Sequence, residues 1–477
     1  MADTERPNVL FFFADQHHPD WVEMHPDIPV RTPNIQRLAD GGVWFENAVC
    51  PSPVCGPSRA CLASGMEYDR CGMANHDVKP SFDRDNTHYA RLRDEAGYHV
   101  MGCGKTLDKF YGLRGPEGKH RIEEFGLSDG VRNRGKWASA YDLDNPREHV
   151  YQRYLDDQGL LEAHKRDFRL RKYTRADHFA ATHPTPLPDD AYCDNWVAQN
   201  GLDLIADAPD DRPWHMEVSF IGPHDPLDVT HEMYGWYRDP PVDFPGPAPI
   251  GAEDGFDGRT HNEIRRNYAA MIENIDRWVG RYLDRLEERG ELENTLIIYS
   301  ADHGDMLGDH GRWKKQSPYH GSAGVPLVVS GPGVATRGRV EEPASVLDVH
   351  ATCLDYAGLD HSDVDSRSLR PYLEGDTDSH REVAHSGLGP WRLVTDGRYK
   401  LLTGYDPDAT PQGILPDDSR QVRGWNALPA DDQRAALEER EVILFDRDTD
   451  PNETTNVANE HPEVVAALDE HIPEVEL

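Results

Sequence analysis

The sequence predicts an α/β fold: a mostly parallel, doubly wound sheet flanked by helices, with a smaller C-terminal α+β subdomain. Three observations predict it. Residues 8–14 and 296–300 are nearly continuous apolar runs, the pattern of strands buried on both faces. Strand, loop, helix and strand alternate through most of the chain, the order that builds a parallel sheet. After about residue 360 the pattern changes to short alternating strands and one terminal helix.

Taken in order, the first strand, 8–14, ends at Asp15-Gln16. Thr32-Pro33 then reads as an N-cap with proline at the first helical position, and this helix stops at Gly41-Gly42. Residues 43–49 return toward the sheet. In CPSPVCGPSRACLASG, Pro57 marks a helix start just after Cys55, and Gly65 a stop. Residues 89–96 read as a helix and 99–103 as a strand leading into Gly104-Lys105. From 112 to 188 the pattern is irregular and polar, an expected insertion over the sheet that walls the substrate. A helix is expected at 189–206, and a strand at 215–221 that ends in Gly222-Pro223-His224. Residues 262–289 form the clearest amphipathic helix, with Ile264, Tyr268, Met271, Ile272, Ile275, Val279 and Leu283 on one face. The strand at 296–300 runs into Ala301-Asp302-His303, and 325–329 is the next strand. Short antiparallel strands are expected at 391–396, 399–402 and 442–446, and a helix at 462–471. The domain division is therefore 1–360 and 361–477.

The 477 residues, 37% of them hydrophobic, suffice for a sizeable core. With 50 basic against 86 acidic residues the net charge is −36, which disfavours nucleic acid and anionic membranes as partners. An anionic substrate then needs a locally positive site. The acidic balance, scarce Lys and abundant Arg suggest a salt-adapted, halophilic source. Seven scattered Cys show neither zinc spacing nor a disulfide scaffold. The start has no signal-peptide pattern, and no stretch approaches the roughly 18 apolar residues of a membrane span. A cytoplasmic protein is the expectation.

Three polar clusters follow predicted strands: Asp15-Gln16, His224 and Asp302-His303. Any one alone reads as an ordinary loop carboxylate or solvated histidine. Their recurrence at several strand ends singles out the carboxyl edge, where open α/β sheets bind ligands. Asp15, Gln16, Asp302 and His303 offer mostly oxygen ligands, suited to Ca²⁺ or Mg²⁺, with Mn²⁺ admitted by the imidazole. Cys55-Gly56-Pro57-Ser58-Arg59 is the most specific signal. An anion there meets free N–H groups at a helix start and a guanidinium that binds oxyanions in two places.

The pattern C-x-P-S-R followed by Ala60-Cys61-Leu62-Ala63-Ser64-Gly65 resembles the signature of type I sulfatases, members of the alkaline-phosphatase superfamily. Seven further segments, in order, are similar to that family: 8–16, 32–43, 97–105, 220–226, 302–311, 313–326 and 444–456. The resemblance implies an alkaline-phosphatase-like fold and a formylglycine made from Cys55 by a formylglycine-generating enzyme. One hydroxyl of the hydrated aldehyde attacks sulfur and expels the alcohol; the other then loses its proton as sulfate leaves. It also implies that Asp15, Gln16, Asp302, His303 and the modified Cys55 hold Ca²⁺. Arg59 steadies the nucleophile, Lys105 and Lys315 bind sulfate oxygens, and Lys315 and His224 serve the leaving oxygen. His310 is implied as a supporting or wall residue.

The chain departs from the commonest family pattern at four places. Leu107, then Asp108, stands where a second histidine is frequent; Gln16 replaces a second Asp; His320 and Gly324 replace Glu and Arg. Three readings follow, in this order: hydrolysis of a sulfated sugar or aryl sulfate, hydrolysis of a phosphonate or phosphodiester by the same nucleophile, and glycan binding without catalysis.

Overall fold

In β1 (Asn8–Asp15) every side chain is buried, as the apolar run requires, and the strand lies at the middle of the sheet. The computed structural model describes residues 6–74, 83–105, 122–141, 150–174, 180–247, 256–407 and 442–473. The remaining main-body strands are β2 (Val43–Phe45), β3 (Ala48–Val49), β4 (His99–Gly104), β5 (Asp129–Arg132), β6 (Trp214–Pro223), β7 (Thr295–Ala301), β8 (Leu327–Ser330), β9 (Gly338–Val340) and β10 (Ala344–Ser345). Eight of them form one sheet in the order β5-β4-β6-β1-β7-β8-β2-β9, while β3 and β10 make a small parallel pair. Helices flank this sheet, among them Pro33–Gly41, Cys193–Ala206 and Gly258–Arg289. No helix among the described residues is long and apolar enough to cross a membrane.

From β5 to β7 all pairings are parallel, but β8 is antiparallel to both neighbours. The expected strand at 325–329 therefore exists with reversed direction. Residues 302–326 stay at the carboxyl edge of β7 and contain only two short helical turns. A parallel return needs a crossover to the opposite edge. Without one, the chain re-enters the sheet where it left it. That geometry keeps the whole segment over the strand ends.

The long helix is Gly258–Arg289. Asp257 caps it by accepting from Thr260 N, and Gly290 ends it with φ 68°. Its seven named apolar residues are at most 1% exposed. Thr32 occupies the N-cap position of Pro33–Gly41 but makes no capping bond. The cap comes from the long helix instead: Asp276 Oδ1 accepts from Asn34 N (2.9 Å) and Ile35 N (2.8 Å).

The 112–188 segment differs from the irregular insertion expected. Its described parts hold edge strand β5 and helices Lys136–Tyr141, Val150–Asp157 and Leu161–Thr174. Beyond the main body, β11 (Ala384–Leu388), β12 (Trp391–Thr395), β13 (Tyr399–Thr403) and β14 (Val442–Asp446) form an antiparallel sheet in chain order. The helix Pro462–Asp469 follows it. Strand β11 was not expected: it has no apolar run and is defined by its ladder with β12.

Asp348 opens the helix Asp348–Tyr356 and is fully buried. Its carboxylate accepts from Ser345 N (3.0 Å), Arg367 N (2.9 Å) and Arg381 Nε (2.8 Å), and meets His380 Nε2 at 2.9 Å. Burial alone would raise its pKa, but Arg381 and His380 hold it well below the ordinary value. A depressed carboxyl stabilises the fold above its unfolded pKa and loses that contribution as pH falls through the folded one. Asp348→Ala strands a buried guanidinium and is expected to cost about 3–5 kcal/mol, read from the urea midpoint at neutral pH.

Candidate active site

The candidate site is built from four adjacent strand ends. Asp15 closes β1, and Asp302 N continues the ladder past β7 by donating to Ala14 O (3.1 Å), which sets the two carboxylates side by side. On the other side, β4 ends at Gly104. A side chain there would stand 1.9 Å from Ser219 O, so the strands approach closely and Lys105 N donates to the same carbonyl (3.0 Å). The end of β6 is held by Asp194, whose Oδ1 accepts from Ile221 N (2.7 Å) and Gly222 N (3.0 Å) just before Pro223-His224.

A buried helix, Cys55–Ser64, points its N-terminus at this edge. It begins at Cys55, two residues before the proline expected to start it; proline is tolerated in the first turn, where no intrahelical N–H is needed. Cys55 Sγ lies 3.2 Å from His303 Nε2, 3.6 Å from Asp15 Oδ1, 2.9 Å from Lys315 Nζ and 3.8 Å from Lys105 Nζ. Lys105 also pairs with Asp15, and Lys315 Nζ lies 3.1 Å from His303 Nε2.

Burial alone would raise the Cys55 thiol, but Lys315 and His303 carry it well below its ordinary value. Cys50, Cys61, Cys103, Cys193 and Cys353 are instead pushed up, chiefly by burial. Cys55 alone among these six thiols is set apart electrostatically. Burial and then Lys315 lower His224 to about 4. Its Nδ1 donates to Asp225 O (2.8 Å), so the neutral ring carries its lone pair on Nε2.

The structure thus brings Asp15, Gln16, Cys55, Arg59, Lys105, His224, Asp302, His303 and Lys315 to one edge. Arg59 reaches this edge from the Cys55–Ser64 helix. Its Nε donates to Asp302 Oδ2 (2.8 Å) and its NH1 to Ser219 Oγ (2.6 Å), so it orients a carboxylate rather than bonding the thiol. His310 makes no hydrogen bond to the cluster: it stacks on Tyr319 at 3.9 Å and donates from Nε2 to Asn452 O (2.8 Å). His320 meets Asp20 Oδ1 at 2.9 Å, and its N–H donates to Glu453 (2.9 Å). Leu107 and Asp108 lie outside the described residues. Ser219, Asp194 and Tyr268, whose hydroxyl donates to Gln16 O (2.6 Å), carried no sign of a site role in the sequence because each acts on an element distant in the chain.

The donor set fits a divalent cation. Ligand atoms of Asp15, Cys55, Asp302 and His303 lie within 4.8 Å of one another. His303 Nδ1 donates to Gly304 O (2.9 Å), which leaves the Nε2 lone pair facing the carboxylates. Gln16 Oε1 is buried and has no hydrogen-bond partner.

The sulfatase family model matches residues 7–359. An arylsulfatase of Clostridium perfringens (strain 13 / Type A) is 27% identical, over 95% of this chain and 90% of that protein. A choline-sulfatase of Rhizobium meliloti (strain 1021) is 29% identical, over 85% and 80%. A phosphonate monoester hydrolase of Agrobacterium radiobacter has the same fold, with a TM-score of 0.73 at 22% identity over 98% of this chain and 94% of that one. The family match spans the strand ends and the Cys55 helix alike, and with it the chain belongs to the type I sulfatase family of hydrolases.

Proposed function

We propose that the protein hydrolyses the sulfate ester of a sugar or aryl alcohol, with a nucleophile derived from Cys55 by conversion to formylglycine. The observation that carries this reading is the thiol of Cys55 at a helix tip, within 4.8 Å of ligand atoms from Asp15, Asp302 and His303 and in contact with two ammonium groups. As formylglycine, residue 55 supplies a hydrated aldehyde, a nucleophile that regenerates without water attacking a hindered ester. A Ca²⁺ ion held by Asp15, Gln16, Asp302 and His303 supplies Lewis-acid polarisation; Mg²⁺ and Mn²⁺ satisfy the same donors. Cys55 is 1% exposed, so a formylglycine-generating enzyme reaches it before the helix docks.

Charge supports the reading. As a thiolate, Cys55 joins Asp15 and Asp302 in three formal negative charges, matched by Arg59, Lys105 and Lys315. Conversion to aldehyde removes one negative charge and a divalent cation adds two positive ones. The site then carries a positive excess inside a chain of net charge −36, as an anionic substrate demands. Lys105 and Lys315, both beside Cys55, bind sulfate oxygens. Lys315 stands 2.9 Å from the sulfur that formylglycine replaces with oxygen, and brings a proton toward the leaving oxygen. His224 Nε2, a lone-pair acceptor in the neutral ring, must first gain a proton to serve the leaving oxygen.

Gln16 favours one second reading, a phosphonate or phosphodiester hydrolase, and a phosphonate monoester hydrolase shares the fold. Lys105 weighs against it. Turnover of an aryl sulfate beside the matching aryl phosphonate separates the two. A higher kcat/KM for the sulfate is expected, by at least about tenfold, which is about 1.4 kcal/mol of transition-state binding. The reverse preference would assign the phosphonate chemistry. The intact Cys55, Pro57 and Arg59 argue against a non-catalytic glycan-binding role.

A further inference from the structure

We propose that Asp305 fixes the direction of the Gln16 side-chain amide and thereby presents Gln16 Oε1 to the cation. The inference rests on the cation site proposed above. Asp305 is fully buried, three residues beyond Asp302, and makes no hydrogen bond to Cys55 or Asp15. It is a positioning residue.

Gln16 is held at every polar atom but one. Its backbone is left-handed, with φ 71°. Its N–H donates to Asp302 Oδ1 (3.1 Å), and its carbonyl accepts from Tyr268 OH (2.6 Å). Its Nε2 donates to Asp305 Oδ2 at 2.5 Å. Only Oε1 remains, buried and without a partner.

Asp305 Oδ1 is taken by two backbone N–H groups and its Oδ2 accepts from Gln16 Nε2, so the end of the amide facing Asp305 is the nitrogen. The oxygen then points away from Asp305. Asp305 cannot turn to relax this demand, because its Oδ1 accepts from Leu307 N (2.9 Å) and Lys314 N (3.0 Å). The loop that carries Lys315 thus fixes Asp305, and Asp305 fixes the ligand oxygen. A second Asp at position 16 would need no such partner, since both of its oxygens are ligands. Gln offers an oxygen at one end only, and requires something to choose that end.

Asp305→Asn tests the idea. Asn keeps an oxygen for Leu307 N and Lys314 N but turns an NH₂ toward Gln16. Two donors then face each other, and the Gln16 amide reverses. Calorimetric titration of metal-stripped, full-length protein with Ca²⁺ and with Mn²⁺ is expected to show affinity weakened by about 10–100-fold. Loss of a nearby negative charge would also weaken binding, so the variant is measured again in a Gln16→Met background. There no amide remains to misdirect, and Asp305→Asn is expected to change affinity by no more than about threefold. An equal loss in both backgrounds would overturn the proposal. The charge-conserving pair Gln16→Glu with Asp305→Asn lets the new amide donate to the new carboxylate, and is expected to bind within about tenfold of wild type. Binding as weak as Asp305→Asn alone would also overturn it. If Asp305→Asn does not fold, Asp305 is a structural residue of the loop and the proposal fails. A wild-type protein that takes up neither ion removes the cation site itself, a failure distinct from an Asp305 that leaves a measured affinity unchanged.

Discussion

Cys55→Ala abolishes turnover and leaves the fold standing. The expected loss in kcat is on the order of 10⁴-fold or more, the scale seen when a covalent nucleophile is removed. Stability is expected to change by no more than about 2 kcal/mol, because only one small side-chain atom leaves a site of polar groups. Lys315 loses a partner at 2.9 Å but keeps its contact with His303 Nε2. Parallel measurement of aryl sulfate turnover and the urea midpoint checks both halves. Full activity in Cys55→Ala would end the covalent mechanism. Loss of both activity and fold would make Cys55 a core residue.

Removing the divalent cation has the second largest expected effect. Treating the active enzyme with a chelator is expected to abolish turnover, and added Ca²⁺ to restore it. Stability should fall little beyond the loss of binding linkage, since Asp15 and Asp302 retain Lys105 and Arg59 as partners. Asp302→Asn is expected to weaken cation affinity and lower kcat/KM by about 10²-fold or more, a loss of roughly 2.7 kcal/mol in transition-state stabilisation. Asn keeps the size of the side chain and one accepting oxygen, enough for Arg59 Nε or Gln16 N but not both, so the fold is expected to survive with reduced stability. Asp302→Ala is the poorer probe, because it leaves the Arg59 Nε and Gln16 N donors with no acceptor at position 302 and opens a cavity as well. Turnover that survives exhaustive chelation would exclude a catalytic cation.

Local pattern made much of this legible in the sequence. β1 announces itself because a strand buried on both faces must be apolar throughout, and the long helix because its buried stripe repeats at helical spacing. Asp15, Cys55 and Asp302 were identifiable because each sits at the end or start of a recognisable element. Contacts far apart in sequence were not. The reversed direction of β8 depends on where residues 302–326 travel, not on their composition. Asp276 caps a helix some 240 residues earlier in the chain, so Thr32 looked sufficient. β5 and β11 are short and weakly apolar, and are strands only because a neighbouring ladder is available to each. Arg59 was legible as a fixed positive charge beside Cys55, and only the fold shows its bonds to Asp302 and Ser219.

Everything in this account turns on what residue 55 has become in active protein. The mass of the tryptic peptide that contains Cys55, taken from enzyme shown to turn over, is the most direct test. It should match a side chain that has lost sulfur and two hydrogens and gained one oxygen, in a proportion that rises with specific activity across preparations. Fully active enzyme whose peptide carries only the unaltered thiol would contradict the account.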